Sequence, residues 1–404
     1  MKPRAVEAAA HDGEHPRLPA VRLSSFYLAY YAALGAFTPY WSLYLQWRGM
    51  DVAAISVLMS LLYATRIVAP STWTTLAARS PRPIRWLHLG CWLTLGSFSA
   101  FLLPLDFAGL FIAMCAFCFA YNAVMPQFES ITMSHLGARS DRYGLIRVWG
   151  SIGFIAVVAL YGWLIDRLGV QALPWMMLPL FGAMLASSYL NRYAHLPEEP
   201  PHAPHEGFRA RLGRPEVIAF FAAAFLAQVS FGPYYTFFSI YLAEHGYSAS
   251  TLGMFWAVGV LAEIGVFFLS SRLFRRWDAG KVLTFALATA ALRWWTTGLF
   301  PDSAPVMVVA QLTHAINFGA FFAAAMQLLV RFFPGRLNGH GRGVFYGVSS
   351  GVGGVTGALA AGQLWRLGGG ESAFIAGGCV ALLAALISWR WLVRPLPAGR
   401  AARA

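Results

Sequence analysis

The sequence predicts an all-α membrane protein with twelve transmembrane helices arranged as two pseudo-symmetric six-helix bundles. Three observations predict it: apolar blocks of bilayer length, basic residues confined to alternate loops, and a repeat that relates the two halves of the chain.

The 404 residues are 58% hydrophobic and 12% charged, about half the charged share of an ordinary soluble domain. The apolar residues gather in blocks near twenty long, the thickness of a hydrocarbon core at 1.5 Å per helical residue. Spans are predicted at 23–46, 52–76, 84–103, 107–133, 145–166, 172–191, 216–243, 250–271, 281–300, 305–330, 342–367 and 372–393. The domains follow: a tail 1–22, a first bundle 23–195, a linker 196–215, a second bundle 216–393 and a tail 394–404. The polar stretch Met1–Ala20 lacks a short apolar core followed by a small-residue cleavage site, so the first span is expected to be retained. The linker is rich in Pro, His and charge and predicts a flexible connection. Its His202 and His205 are read as solvated rather than as metal ligands.

The net charge is +13, which in a soluble protein would suggest nucleic acid. Here 24 of the 30 Lys and Arg fall on the side that holds the N-terminus, the linker and the C-terminus; Arg48, Arg167 and Arg366 fall on the other. This asymmetry places both termini in the cytoplasm, requires an even number of spans and removes the need for a nucleic-acid partner. Cys91, Cys115, Cys118 and Cys379 all sit in apolar blocks, so no disulfide framework, metal or redox centre is expected. No Gly-rich phosphate loop or nucleophile–base pair is visible at helical spacing, which argues against an enzyme and against a cofactor.

A shift of 197 residues carries Gly35, Ser42, Tyr44, Leu45 and Gly49 onto Gly232, Ser239, Tyr241, Leu242 and Gly246, and Trp149-Gly150 onto Tyr346-Gly347. Two more residues carry Arg167-Leu168-Gly169 onto Arg366-Leu367-Gly368. Parallel repeats of six spans place a solute site between the halves at mid-membrane.

A charge inside a span is costly, so each marks a candidate site. Arg66, Glu129, Arg147, Glu263 and Arg293 are such charges, and His314 is a further titratable group. The 197-residue shift places Arg66 on Glu263, as expected of residues that face a shared interior. Asn122, Pro126 and Glu129 share one helical face, and Pro126 should kink the fourth span. Gln311, His314 and Asn317 form a stripe in the tenth span. Gln228 and Tyr235 share a face of the seventh, with Pro233 between them. Tyr27, Tyr31, Thr38 and Trp41 line the first. Such stripes suit a wet cavity with aromatic walls; the bland alternative is helix-to-helix hydrogen bonding.

At these residues the chain resembles the major-facilitator group that contains the bacterial phenylpropionate permease, and more distantly the lactose permease type of oligosaccharide:proton symporter. The segments that carry the resemblance are YGLIRVWGSIGF (143–154), VGVLAEIGVF (258–267), SSRLFRR (270–276), ALRWW (291–295) and AQLTHAINF (310–318). The resemblance implies that Glu129 and Arg147, 18 residues apart, contact the solute, with Phe154 stacking on it. It implies that Glu263, Arg293 and His314 belong to a binding and proton-coupling network. Two positions depart from the lactose permease pattern. Asn317 stands where that family has an acid that carries the proton, and Gln311 where it has a lysine. The glycine- and aspartate-based signature between spans two and three is absent from WTTLAARSPRPIRW (73–86).

Three interior arginines face two interior acids, so one positive charge is left over, and a carboxylate solute would supply its partner. The expectation is therefore proton-coupled symport of a small organic anion, such as an aromatic carboxylate, by alternating access in the bacterial cytoplasmic membrane. The expected solute site is Glu129, Arg147, Phe154, Asn122, Gln228, Tyr235 and Asn317; the expected proton path is Glu263, Arg293, His314 and Arg66. The expected partners are solute, proton and lipid, with the protein a monomer. A sugar or nucleoside symporter is the alternative, and a sensor that binds without transporting is a third reading.

Overall fold

The computed structural model describes residues 18–137, 139, 142–193 and 207–393, and no side chain of 267–272. The tail up to residue 17, linker residues 194–206 with His202 and His205, and the tail from 394 lie outside the described residues. No strand occurs among the described residues.

The first half of the chain holds α1 (Ala20–Trp47), α2 (Val52–Ala78), α3 (Ile84–Ser99), α4 (Phe107–Leu136), α5 (Tyr143–Leu168) and α6 (Leu173–Tyr189). A short α7 (Phe208–Leu212) precedes the second half. There α8 (Pro215–Ser230), α9 (Gly232–Glu244), α10 (Ala249–Arg276), α11 (Ala279–Leu299), α12 (Ala304–Leu312), α13 (Phe321–Phe332), α14 (Leu337–Val344) and α15 (Gly354–Ser388) follow. Among the described residues, eight segments are long and apolar enough to cross a membrane by length and composition. The helices α1, α3 and α11 are not among the eight.

Local chemistry sets the helix ends. Asp51 accepts from the Ala54 amide at 2.7 Å and Asp106 from the Gly109 amide at 2.8 Å, each capping the helix that follows. The predicted seventh span is divided at Phe231 into α8 and α9. Pro233 at the start of α9 has no N–H to donate back to α8. The predicted tenth span carries a π turn at Ala315–Ala320 between α12 and α13. Gly368 and Gly369 leave helical geometry inside α15, the latter at φ 74°, where only glycine is at ease. The break coincides with the predicted boundary between 367 and 372.

Several helices touch backbone to backbone. A Cβ on Gly35 of α1 would lie 2.7 Å from the Phe154 carbonyl oxygen of α5. Helix α5 also packs on α10, and α2 on α15, and polar bonds tie the end of α5 to the start of α10. Tyr40 donates to the Val158 carbonyl at 2.6 Å. Asp166 near the end of α5 accepts from the Ala249 and Ser250 amides at 2.8 and 3.0 Å, and from the Ser250 hydroxyl. A Cβ on Gly362 of α15 would lie 2.5 Å from Ser56 Cβ of α2.

Candidate functional site

The interior polar residues form two clusters joined by long-range electrostatics. The first rests on α1, α4 and α5. Arg147 lies flat over Tyr31, its guanidinium carbon 3.7 Å from the ring centroid, and 5.7 Å from that of Tyr27. Gly150 makes room for the stack: a Cβ there would lie 2.7 Å from both Arg147 Nη1 and Tyr31 Cδ2. Glu129 accepts a hydrogen bond from Tyr143 at 3.3 Å. Glu129 and Arg147 are not in direct contact: no ion pair between them closes to 4.0 Å, although each lies within electrostatic reach of the other.

The second cluster rests on α9, α10, α11 and the α12–π segment. Arg293 is only 2% exposed. Its Nη1 donates to His314 Nδ1 and its Nη2 to Gln311 Oε1, both at 2.9 Å. The Tyr234 and Trp294 rings lie 4.4 and 4.6 Å from the guanidinium carbon. Desolvated cation–π contacts are worth roughly 2 kcal/mol each, and they help keep this cation buried. Tyr234 also donates to Gln311 Oε1 at 3.1 Å. Glu263 meets Arg293 through a relay, in which His314 Nε2 stands 3.8 Å from Glu263 Oε2. Glu263 lies within electrostatic reach of Arg147, which couples the clusters.

The remaining sequence-predicted residues divide by role. Asn122 is buried, and its amide nitrogen donates to the Leu62 carbonyl and the Thr65 hydroxyl, both at 2.8 Å. Its amide oxygen accepts from Arg66 Nε at 3.3 Å. Asn317 donates to the Ala286 carbonyl at 3.0 Å and tethers the π turn to α11. It therefore stands apart from the Gln311–His314 pair with which it shares a stripe in the sequence. Phe154 is buried at the α1 contact. Tyr235 stacks on Phe231 at 5.7 Å and lies within reach of Tyr63, Glu263 and Arg293. Gln228 is half-buried, its Cβ against Gly353. Sequence reasoning passed over Tyr143, Tyr234 and Tyr63, because an aromatic residue in an apolar span carries no periodic signal of its own.

A family model described as the MFS_1 like family matches residues 20–376. The chain belongs to this family. The MFS_1-like protein is thus a major-facilitator secondary transporter: a multi-pass membrane protein that carries a small molecule. It is similar to the Escherichia coli protein named "Probable 3-phenylpropionic acid transporter", at 29% identity over 318 residues, covering 75% of this chain and 80% of that one. It is also similar to the maltose permease of Geobacillus stearothermophilus, at 26% identity over 355 residues, covering 85% and 88%. In fold it is similar to a crystal structure of a variant of the nucleoside transporter NupG, with TM-score 0.81 at 14% identity over 92% of this chain and 99% of that one.

Proposed function

We propose that this transporter carries a small organic anion, an aromatic carboxylate, together with protons. Twelve spans in two six-helix bundles would rock about the interior clusters, with both termini in the cytoplasm. The carrying observation is the charge balance of the interior. Three arginines and two acids lie at bilayer depth, and among the described residues no arginine of the three has an acid within 4.0 Å. Guanidiniums at that depth demand anionic or aromatic partners. Tyr31, Tyr234 and Trp294 supply aromatic faces, and the solute supplies the anion.

In this reading Glu129, Arg147 and the tyrosines around them contact the solute, while Glu263 and His314 handle the proton. The end closed by Asp166, Tyr40 and Gly362 carries Arg48, Arg167 and Arg366, the sparsely basic side. By the positive-inside bias that end would face the periplasm. The resemblance to a 3-phenylpropionic acid transporter supports the solute class. The resemblance to a maltose permease supports the second reading, a neutral sugar held through Glu129 and the tyrosines.

Uptake into proteoliposomes separates the two. Labelled 3-phenylpropionate should accumulate under an inward proton gradient and stop accumulating with a protonophore, while maltose should not. Accumulation of maltose with no uptake of any aromatic acid would contradict the proposal.

A further inference from the structure

The three interior arginines are not equally available to a ligand. Arg293 has both Nη groups engaged and lies under two aromatic rings. Arg147 has one face covered by Tyr31 and lies within electrostatic reach of both Glu129 and Glu263. Arg66 differs from both. It is half-buried like Arg147 and, like both, has no acid within 4.0 Å among the described residues, but the cation that acts on Glu129 and Glu263 is Arg147. Its one hydrogen bond there runs from Nε to Asn122 Oδ1.

That bond fixes how Arg66 presents itself. The Thr65 hydroxyl donates to the Leu61 carbonyl at 2.8 Å, so its oxygen is an acceptor for Asn122 Nδ2. The Leu62 carbonyl is an acceptor as well. Both amide hydrogens of Asn122 are thereby committed, and its oxygen must face the guanidinium. A guanidinium tied through Nε leaves Nη1 and Nη2, the pair of parallel donors that matches a carboxylate. Around it stand Tyr63, whose ring centroid is 5.5 Å from the guanidinium carbon, and Tyr30 and Tyr31 within electrostatic reach. Tyr31, which carries Arg147, thus lies within electrostatic reach of both cations.

We infer that Arg66 is the carboxylate anchor of the solute site, holding a monocarboxylate through its Nη edge against an aromatic wall, and that Asn122 is its positioning residue. This rests on the organic-anion reading above. It assigns Arg66 to the solute rather than to the proton path. Arg147 contacts the solute beside this anchor and answers Glu129 and Glu263 as they charge and discharge.

The test is binding by the full chain in nanodiscs, using acid and amide pairs: 3-phenylpropionate with 3-phenylpropanamide, and benzoate with benzamide. The unmodified protein should prefer each acid. Arg66→Gln should weaken acid binding about tenfold or more and leave amide binding within about threefold, which removes the preference. Asn122→Asp places an acid on the guanidinium and should weaken acid binding by a similar factor. Arg66→Lys, which keeps the charge but loses the fork, should fall between. Retention of the acid preference in Arg66→Gln, or in Asn122→Asp should the former not fold, overturns the anchor while leaving the anion reading intact. An unmodified protein with no preference for any acid overturns both.

Discussion

Arg293 donates to Nδ1 of His314 at 2.9 Å, which forces the imidazole proton onto Nε2, the nitrogen 3.8 Å from the Glu263 carboxylate. An arginine cannot accept, so Nδ1 must. A second proton can enter the ring only if Arg293 lets go. His314 is therefore held neutral while the relay is intact, and Glu263 is the group that can take a proton without breaking it.

Replacing Glu263 should consequently uncouple rather than silence the carrier. Glu263→Gln is expected to lower proton-driven accumulation at least about tenfold while solute exchange across the same vesicles continues. An internal pH dye read beside labelled solute checks this. Proton movement that persists with uptake in Glu263→Gln would assign the proton elsewhere.

The buried cation should matter for stability as well as for coupling. Arg293→Ala leaves His314 Nδ1 facing a cavity without its donor, leaves Gln311 Oε1 only its bond from Tyr234, and strips the faces of Tyr234 and Trp294. A loss on the order of 3 kcal/mol is expected, seen as a lower Tm in detergent. Arg293→Lys keeps the charge over the rings but not two donors at fixed spacing, and should lose less.

The Asp166 carboxylate at the start of α10 combines two amide hydrogen bonds with the favourable field of a helix N-terminus. Asp166→Asn should cost the closed end about 1–2 kcal/mol, a shift of roughly tenfold in population toward the form open at that end. Spin labels at Gln46 and Glu244, both exposed at that end, in a background without the native cysteines, should report more of the longer distance. An unchanged distance distribution would show that the carboxylate does not hold this end shut.

Much of this architecture is written in hydropathy. Helix α2 begins at Val52 and α4 at Phe107, where the apolar blocks do, because Asp51 and Asp106 both end the loop and cap the helix. The break at Phe231 is hidden, since α8 and α9 form one continuous apolar run and only Pro233 marks the join. Interior charges were legible for the same reason as the spans: a charge inside a long apolar block stands out. Their partners were not. Periodicity speaks for neighbours on one helix, whereas Asn122 meets Arg66 across 56 residues of chain. The resemblance grouped Glu263, Arg293 and His314 without an order, and packing sets His314 between the other two. Asn317, one turn beyond His314, faces Ala286 because the π turn rotates it away from the stripe.

The central claim is that charges buried at bilayer depth line the path of the solute, and Arg147 tests it most directly. Its guanidinium stacks on Tyr31 and lies within electrostatic reach of both interior acids. Counterflow of 3-phenylpropionate in proteoliposomes requires binding and reorientation but no net proton movement. Arg147→Ala is predicted to lose that exchange by about a hundredfold, with the protein still inserted and monodisperse. Exchange at the unmodified rate would contradict the account.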